Sequence, residues 1–185
     1  ESGTLVLSYD HQGKNHGQKV VARTELALTN AFIKLNRAKN PVIYYSIGHG
    51  EAELDRKDRE GLSQLKGVLQ EALFNVVPTY LSGLHSLPDD MKILMIWGPH
   101  GKFFDKEYQL LEQFLARGGK LIVALDPAVG EDTLGEFRQW LKSWGIHITN
   151  NLVVDSLNHL SGSCGSIPIV KKAASAHHAV KEFKG

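Results

Sequence analysis

The sequence has almost no cysteine, no long apolar run and almost no net charge, and each shortage removes a class of function. A single cysteine, Cys164, cannot close an internal disulfide or supply a cysteine-rich metal site, and it leaves the redox compartment open. The longest apolar stretches are strand-sized pieces such as 93–97 and 121–125, far short of the ~18–20 residues a membrane helix needs. No segment of this chain is therefore expected to cross a bilayer as a helix. Lys plus Arg number 21 against 20 Asp plus Glu, a net charge of +1, so no global field draws the protein to nucleic acid or anionic lipid. Low-complexity tracts, Pro/Ser-rich linkers and repeats are missing too, which argues for one domain over 1–185. The chain starts at Glu1 with neither Met nor a secretory signal, and is expected to be a processed or excised piece.

What is present is an alternation of patterns. Apolar runs rich in β-branched residues fall at 42–47, 76–81, 93–97, 121–125 and 146–154. Continuous apolar character bounded by Gly and Pro predicts strands buried on both faces, as in a parallel sheet. Between them, Leu62, Leu65, Leu69 and Leu73, then Leu111, Phe114 and Leu115, then Leu134, Phe137 and Leu141 recur at helical spacing. Asp105 is expected as an N-cap, Thr133 to Glu136 as a capping box, and Gly118-Gly119 and Gly145 as helix C-caps. Right-handed crossovers then give a doubly wound α/β sheet core over 41–155. The first forty residues read as a hairpin, with strands at 4–8 and 19–22 around a polar loop at 10–18, followed by a helix at 24–35. Residues 156–185 are weakly patterned and read as an irregular tail.

In an open parallel sheet, ligands bind outside the carboxyl ends of the strands, where the strand order reverses. The strand exits carry Gly48-His49-Gly50-Glu51, Gly98-Pro99-His100-Gly101, Asp126-Pro127 and Asp155. His49, Glu51, His100 and Asp126 are the candidate ligand-binding residues, since imidazole and carboxylate converging on one crevice supply an acid–base pair or a metal site. Against this, Gly frees the backbone for tight exits while His and Asp bond loop amides, and this simpler reading is favoured because no metal-ligand spacing supports the other. Neither glycine turn extends into a phosphate-binding motif, so no nucleotide and no other cofactor is expected. The turns hold His49, His100 and Pro127, and no Gly-x-Ser-x-Gly or Gly-x-Cys-x-Gly follows a strand, so no catalytic residue is assigned. Cys164, in a Gly/Ser loop, reads as a bystander thiol, and His177-His178 as a solvated turn. Trp140 and Trp144, four apart on one helix, predict one buried and one partly exposed indole.

The order Val42 to Glu51, then Leu87-Pro88-Asp89-Asp90 before Ile93 to Pro99, then Gly118 to Pro127, resembles the extracytoplasmic domain of the GldG-type gliding-motility family. This family is also described as the auxiliary domain of uncharacterised ABC-type transport systems. Trp144-Gly145-Ile146, Val153-Val154-Asp155 and a degraded His-Pro-Ile-Thr segment at Ala176 to Lys181 extend the likeness. The resemblance implies a Rossmann-like, amidotransferase-like three-layer domain lacking a catalytic elbow. It implies placement on the outer, periplasmic face of the cytoplasmic membrane, in a protein whose membrane helices lie outside this chain. It further implies ABC permease and ATPase subunits, or an envelope component, as partners. The expected function is non-catalytic binding or scaffolding; the alternative is a hydrolase or small-ligand enzyme using His49, Glu51, His100 and Asp126.

Overall fold

A strand buried on both faces must be apolar at nearly every position, and two segments of the chain meet that condition. They are β3 (Val42–Ile47) and β5 (Ile93–Trp97), the central strands of a four-stranded parallel sheet. The computed structural model describes residues 5–11, 14–20, 24–36, 39–127, 132–149 and 151–170. The sheet order is β4-β3-β5-β6, with β4 (Asn75–Tyr80) and β6 (Lys120–Ala124) at the edges and correspondingly more exposed. Pro78 lies in β4, where an edge tolerates the missing N–H. The chain runs from β3 outward to β4 and then crosses to β5 on the other side of β3, so the reversal of strand order lies at the β3–β5 seam.

Alternation along the strands divides the core. Ile43 and Tyr45 of β3 and Met95 of β5 face one side, packed with Leu62 and with Leu65 and Leu69 of α2 (Ser63–Glu71). Ser46, Leu94 and Ile96 face the other, and right-handed crossovers set α3 (Asp105–Ala116) on that side, with Leu110, Leu111 and Phe114 buried. This is the Rossmann-like α/β architecture expected from the alternating patterns. The extents of β3 and β5 match expectation, while β4 and β6 each begin one residue earlier.

Helix ends follow a shared geometry. Phe74, Gly119 and Ile146 each donate their N–H to the carbonyl five residues back, and Leu73, Gly118 and Gly145 to the one three back. This is the Schellman closure, whose C′ residue takes a left-handed conformation. Gly118 and Gly145 adopt φ of 85° and 80°, whereas α2 uses Leu73 at 66°, held there by its buried side chain. At the front of α3 the expectation of Asp105 as N-cap is corrected. Phe104 is the cap, Asp105 is the first helical residue, and Glu107 reaches back to accept from the Phe104 N–H at 2.8 Å. The helix α4 (Gly135–Ser143) starts after Leu134, and the Thr133 hydroxyl donates to His100 O at 2.6 Å.

The N-terminal hairpin is longer than its polarity suggested. β1 (Leu5–His11) pairs antiparallel with β2 (Lys14–Val20), from Leu5 opposite Val20 to His11 opposite Lys14. The polar stretch read as a loop is mostly ladder, because backbone pairing does not require apolar side chains on a solvated face. Helix α1 (Glu25–Asn36) packs against this hairpin, capped by the Thr24 hydroxyl accepting from Ala27 N. Within its stripe Ala31 is buried, while Phe32 is 54% exposed.

The chain divides into two compact units. One comprises Glu1–Asp126 with Thr133–Phe137, and the other Pro127–Asp132 with Arg138–Gly185. In the second, Trp140 is buried and Trp144 half exposed, their rings meeting edge-on at 6.3 Å, as their spacing required. The expected strand at 146–154 is not formed among the described residues, and Ile146, Leu152, Val153 and Val154 are exposed. An apolar β-branched run holds as a strand only when a ladder satisfies its backbone, and none pairs with it among the described residues. Asp155 N donates instead to Gly165 O, and the Asp155 carboxylate accepts from the N–H groups of Leu157 and Asn158. Cys164 is exposed in the following turns, and His177-His178 lies outside the described residues.

Candidate functional site

The exit of β3 is built around a buried polar chain. Ser46, inward on the α3 side, donates its hydroxyl to Glu51 Oε1 at 2.7 Å. The turn between them folds back because Gly48 and Gly50 take φ of 117° and 78°, conformations that glycine adopts without strain. Glu51 Oε2 accepts from the His49 backbone N–H at 2.7 Å, and its Oε1 lies 3.0 Å from His49 Nδ1. The other ring nitrogen, Nε2, lies 2.9 Å from Glu107 Oε2 on α3. Below the imidazole Phe103 stacks at 4.0 Å, and Phe137 stacks on Phe103 at 4.6 Å.

All three ionisable side chains are nearly sealed: His49 is 4% exposed, Glu51 1% and Glu107 0%. Burial disfavours a charged imidazole, yet the hydrogen bonds and charges of Glu51 and Glu107 outweigh it and hold the His49 pKa above the usual histidine value. Burial likewise pushes the Glu51 carboxyl up, but the hydrogen bonds from His49, Ser46 and the His49 backbone hold it below the usual carboxylate range. The arrangement suits an imidazolium donating from both nitrogens to two carboxylates. Within this cluster Glu107 Oε1 has no hydrogen-bond partner among the described residues. With both ring nitrogens engaged, His49 has no lone pair free for a metal and no path to accept a substrate proton without breaking a buried pair. Among the described residues no group of three His, Cys, Asp or Glu has metal-binding geometry.

Of the four residues singled out in the sequence, His49 and Glu51 meet directly. His100 joins through its backbone: its N–H and that of Gly101 both donate to His49 O, at 2.7 and 2.6 Å, and its side chain is exposed. A Cβ on Gly101 would lie 3.2 Å from the His49 backbone, so the two exit turns are in close apposition at the β3–β5 seam. Asp126 is exposed beside Gly98, its Oδ2 3.1 Å from where a Gly98 Cβ would stand. Glu107 and Ser46 were missed. The signal for Glu107 was available, because it occupies the i position of a stripe continued by Leu110, Leu111 and Phe114, a carboxylate where the helix pattern calls for an apolar residue. Open space lies to one side of the seam, as a cleft of about 360 Å³ over the exits of β3 and β4.

No curated protein and no solved structure gives a significant match. A family model described as "ABC-type uncharacterized transport system" matches residues 40–164, from just before β3 to the turn at Cys164. That span takes in every strand of the parallel sheet and the whole His49–Glu51–Glu107 cluster, and covers more than half of the chain. The chain therefore belongs to the ABC-type uncharacterized transport system family, as an auxiliary component of such a system.

Proposed function

We propose that this chain is a non-catalytic binding or scaffolding domain of an ABC-transporter accessory protein of the GldG type. In this reading it stands on the extracytoplasmic side of the cytoplasmic membrane. Its partners there are permease and ATPase subunits of the same system, or an envelope component. The observation that carries it is the state of His49. The one imidazole buried at the strand exits has both nitrogens held by buried carboxylates, and tethers the β3 turn to the front of α3. A general base needs one nitrogen free toward a reacting group. The exits of β5 and β6 hold Gly, His, Asp and Pro, and no Gly-x-Ser-x-Gly or Gly-x-Cys-x-Gly elbow follows any strand.

The test is a screen of ester, amide, phosphate and glycoside substrates, run with and without divalent metals. The expected result is no turnover above background. Turnover that is lost in His49→Gln while the fold is retained overturns the reading in favour of an enzyme working in the crevice.

A further inference from the structure

The closed seam and the open cleft beside it differ in what they offer a ligand. At the β3–β5 seam the two exit turns are bonded backbone to backbone and lie in close apposition. A cleft of about 360 Å³ lies over β3 and β4, toward the small end of the roughly 300–1,000 Å³ range of ligand clefts. Its floor is apolar: Ile47, Ala52, Leu54 and Pro78. Its charged lining is of one sign, with Glu53 and Asp55 at the rim and no Lys, Arg or His.

The acidic groups at the cleft are not equivalent. The Glu51 carboxylate is turned inward to His49. Asp55 pairs with Lys66 Nζ at 2.5 Å from outside the lining. Glu53 is exposed, and its backbone carbonyl accepts from the Arg56 and Leu62 N–H groups. An apolar floor with a carboxylate at its rim matches a group with an aliphatic stem and a cationic head, the form of a Lys or Arg side chain lying along an apolar surface. Anionic and purely polar ligands meet the wrong charge or an apolar floor.

We infer that this cleft is the partner-binding site of the domain, and that it takes a basic side chain, flanked by apolar residues, from a polypeptide of the transport assembly. The inference rests on the binding reading above and names its site and ligand chemistry. The stem lies over Ile47, Leu54 and Pro78 and the head meets Glu53. Gly48, which lines the cleft, has a positive φ and lies close to Tyr80: a Cβ there would stand 3.1 Å from the Tyr80 ring.

The experiment titrates the isotope-labelled chain with acetyl-Leu-Arg-Leu-amide at millimolar concentration and follows backbone amide signals by NMR, with acetyl-Leu-Glu-Leu-amide as the control. Saturable shifts at Gly48, Glu53 and Leu54 with the arginine peptide alone are expected, weakened at least about tenfold by Glu53→Lys. Glu53→Gln gives a smaller loss and guards against an effect on folding. No shift at these residues, or equal shifts with both peptides, overturns the inference. A second arm purifies the tagged protein from its own cells. Transporter subunits recovered with the unaltered protein and lost with Glu53→Lys support the site. Equal recovery with both overturns the site and leaves the binding reading standing, whereas recovery with neither overturns that reading itself.

Discussion

Replacing His49 by Ala is the perturbation whose consequence the structure specifies most closely. The imidazole separates and neutralises two carboxylates that are 1% and 0% exposed. Removing it strips both of their cationic partner, leaving Glu51 with the Ser46 hydroxyl and the residue-49 N–H and Glu107 with the Phe104 N–H. Breaking a buried ion pair from one side costs about 3–5 kcal/mol, and loss of the ring stacked on Phe103 adds about 0.5–1.5 kcal/mol. Because the groups form one network these losses do not add, and the expected destabilisation is about 4 kcal/mol, against a total of ~5–15 kcal/mol for a typical domain. In urea denaturation, where slopes run ~1–3 kcal/mol per molar, the midpoint falls by about 2 M. The decisive control is His49→Ala combined with Glu107→Gln. Deleting one stranded charge restores about 1–3 kcal/mol relative to His49→Ala alone, so that the second substitution stabilises. If His49→Ala stays within about 0.5 kcal/mol of the parent, or if adding Glu107→Gln only destabilises further, the cluster is not the structural tether described here.

The same cluster sets a pH dependence. Because the folded-state pKa of His49 is raised, its contribution is fully present below the ordinary value of 6.5 and is lost as pH rises through the folded value; the lowered pKa of Glu51 gives a contribution present above 4.5 and lost as pH falls. Denaturation midpoints measured across pH should peak between these limits, and His49→Gln should flatten the alkaline limb. Gly119→Ala should destabilise by about 1–3 kcal/mol, because its Cβ would stand 2.4 Å from the ring of the fully buried Phe114; thermal melting checks it. Leu73→Gly relieves a left-handed leucine but removes a side chain only 4% exposed, so the midpoint should fall rather than rise. Cys164, being exposed, should be alkylated by iodoacetamide in the native state as fast as in urea, as mass spectrometry would show.

The parallel core was legible because β3 and β5 are buried on both faces, which forces a continuous apolar run that composition alone reveals. Edges and partners were less legible. The run at 146–154 has strand-like composition, yet a strand also needs a neighbour to accept its hydrogen bonds, and sequence does not show whether one is available. The hairpin presents the converse case, where polar residues such as Asp10 and Asn15 sit opposite each other in a regular ladder.

At the site, His49 and Glu51 could be found because short Gly-rich exits placed them close in sequence. Their third partner stands 58 residues from His49 on another element, and only the carboxylate interrupting the α3 stripe hinted at it. The open cleft was invisible to pattern reading, since it arises where the exit turns at the seam press together and leave volume on their β4 side.

The central claim is that the domain acts by binding within an ABC transport assembly. Its most direct test is to tag the protein at its own locus, cross-link intact cells and identify the captured proteins by mass spectrometry. The account predicts enrichment of permease or ATPase subunits of one ABC system, dependent on this domain. Capture that is unchanged when the domain is deleted, or that contains no transporter subunit, would contradict it.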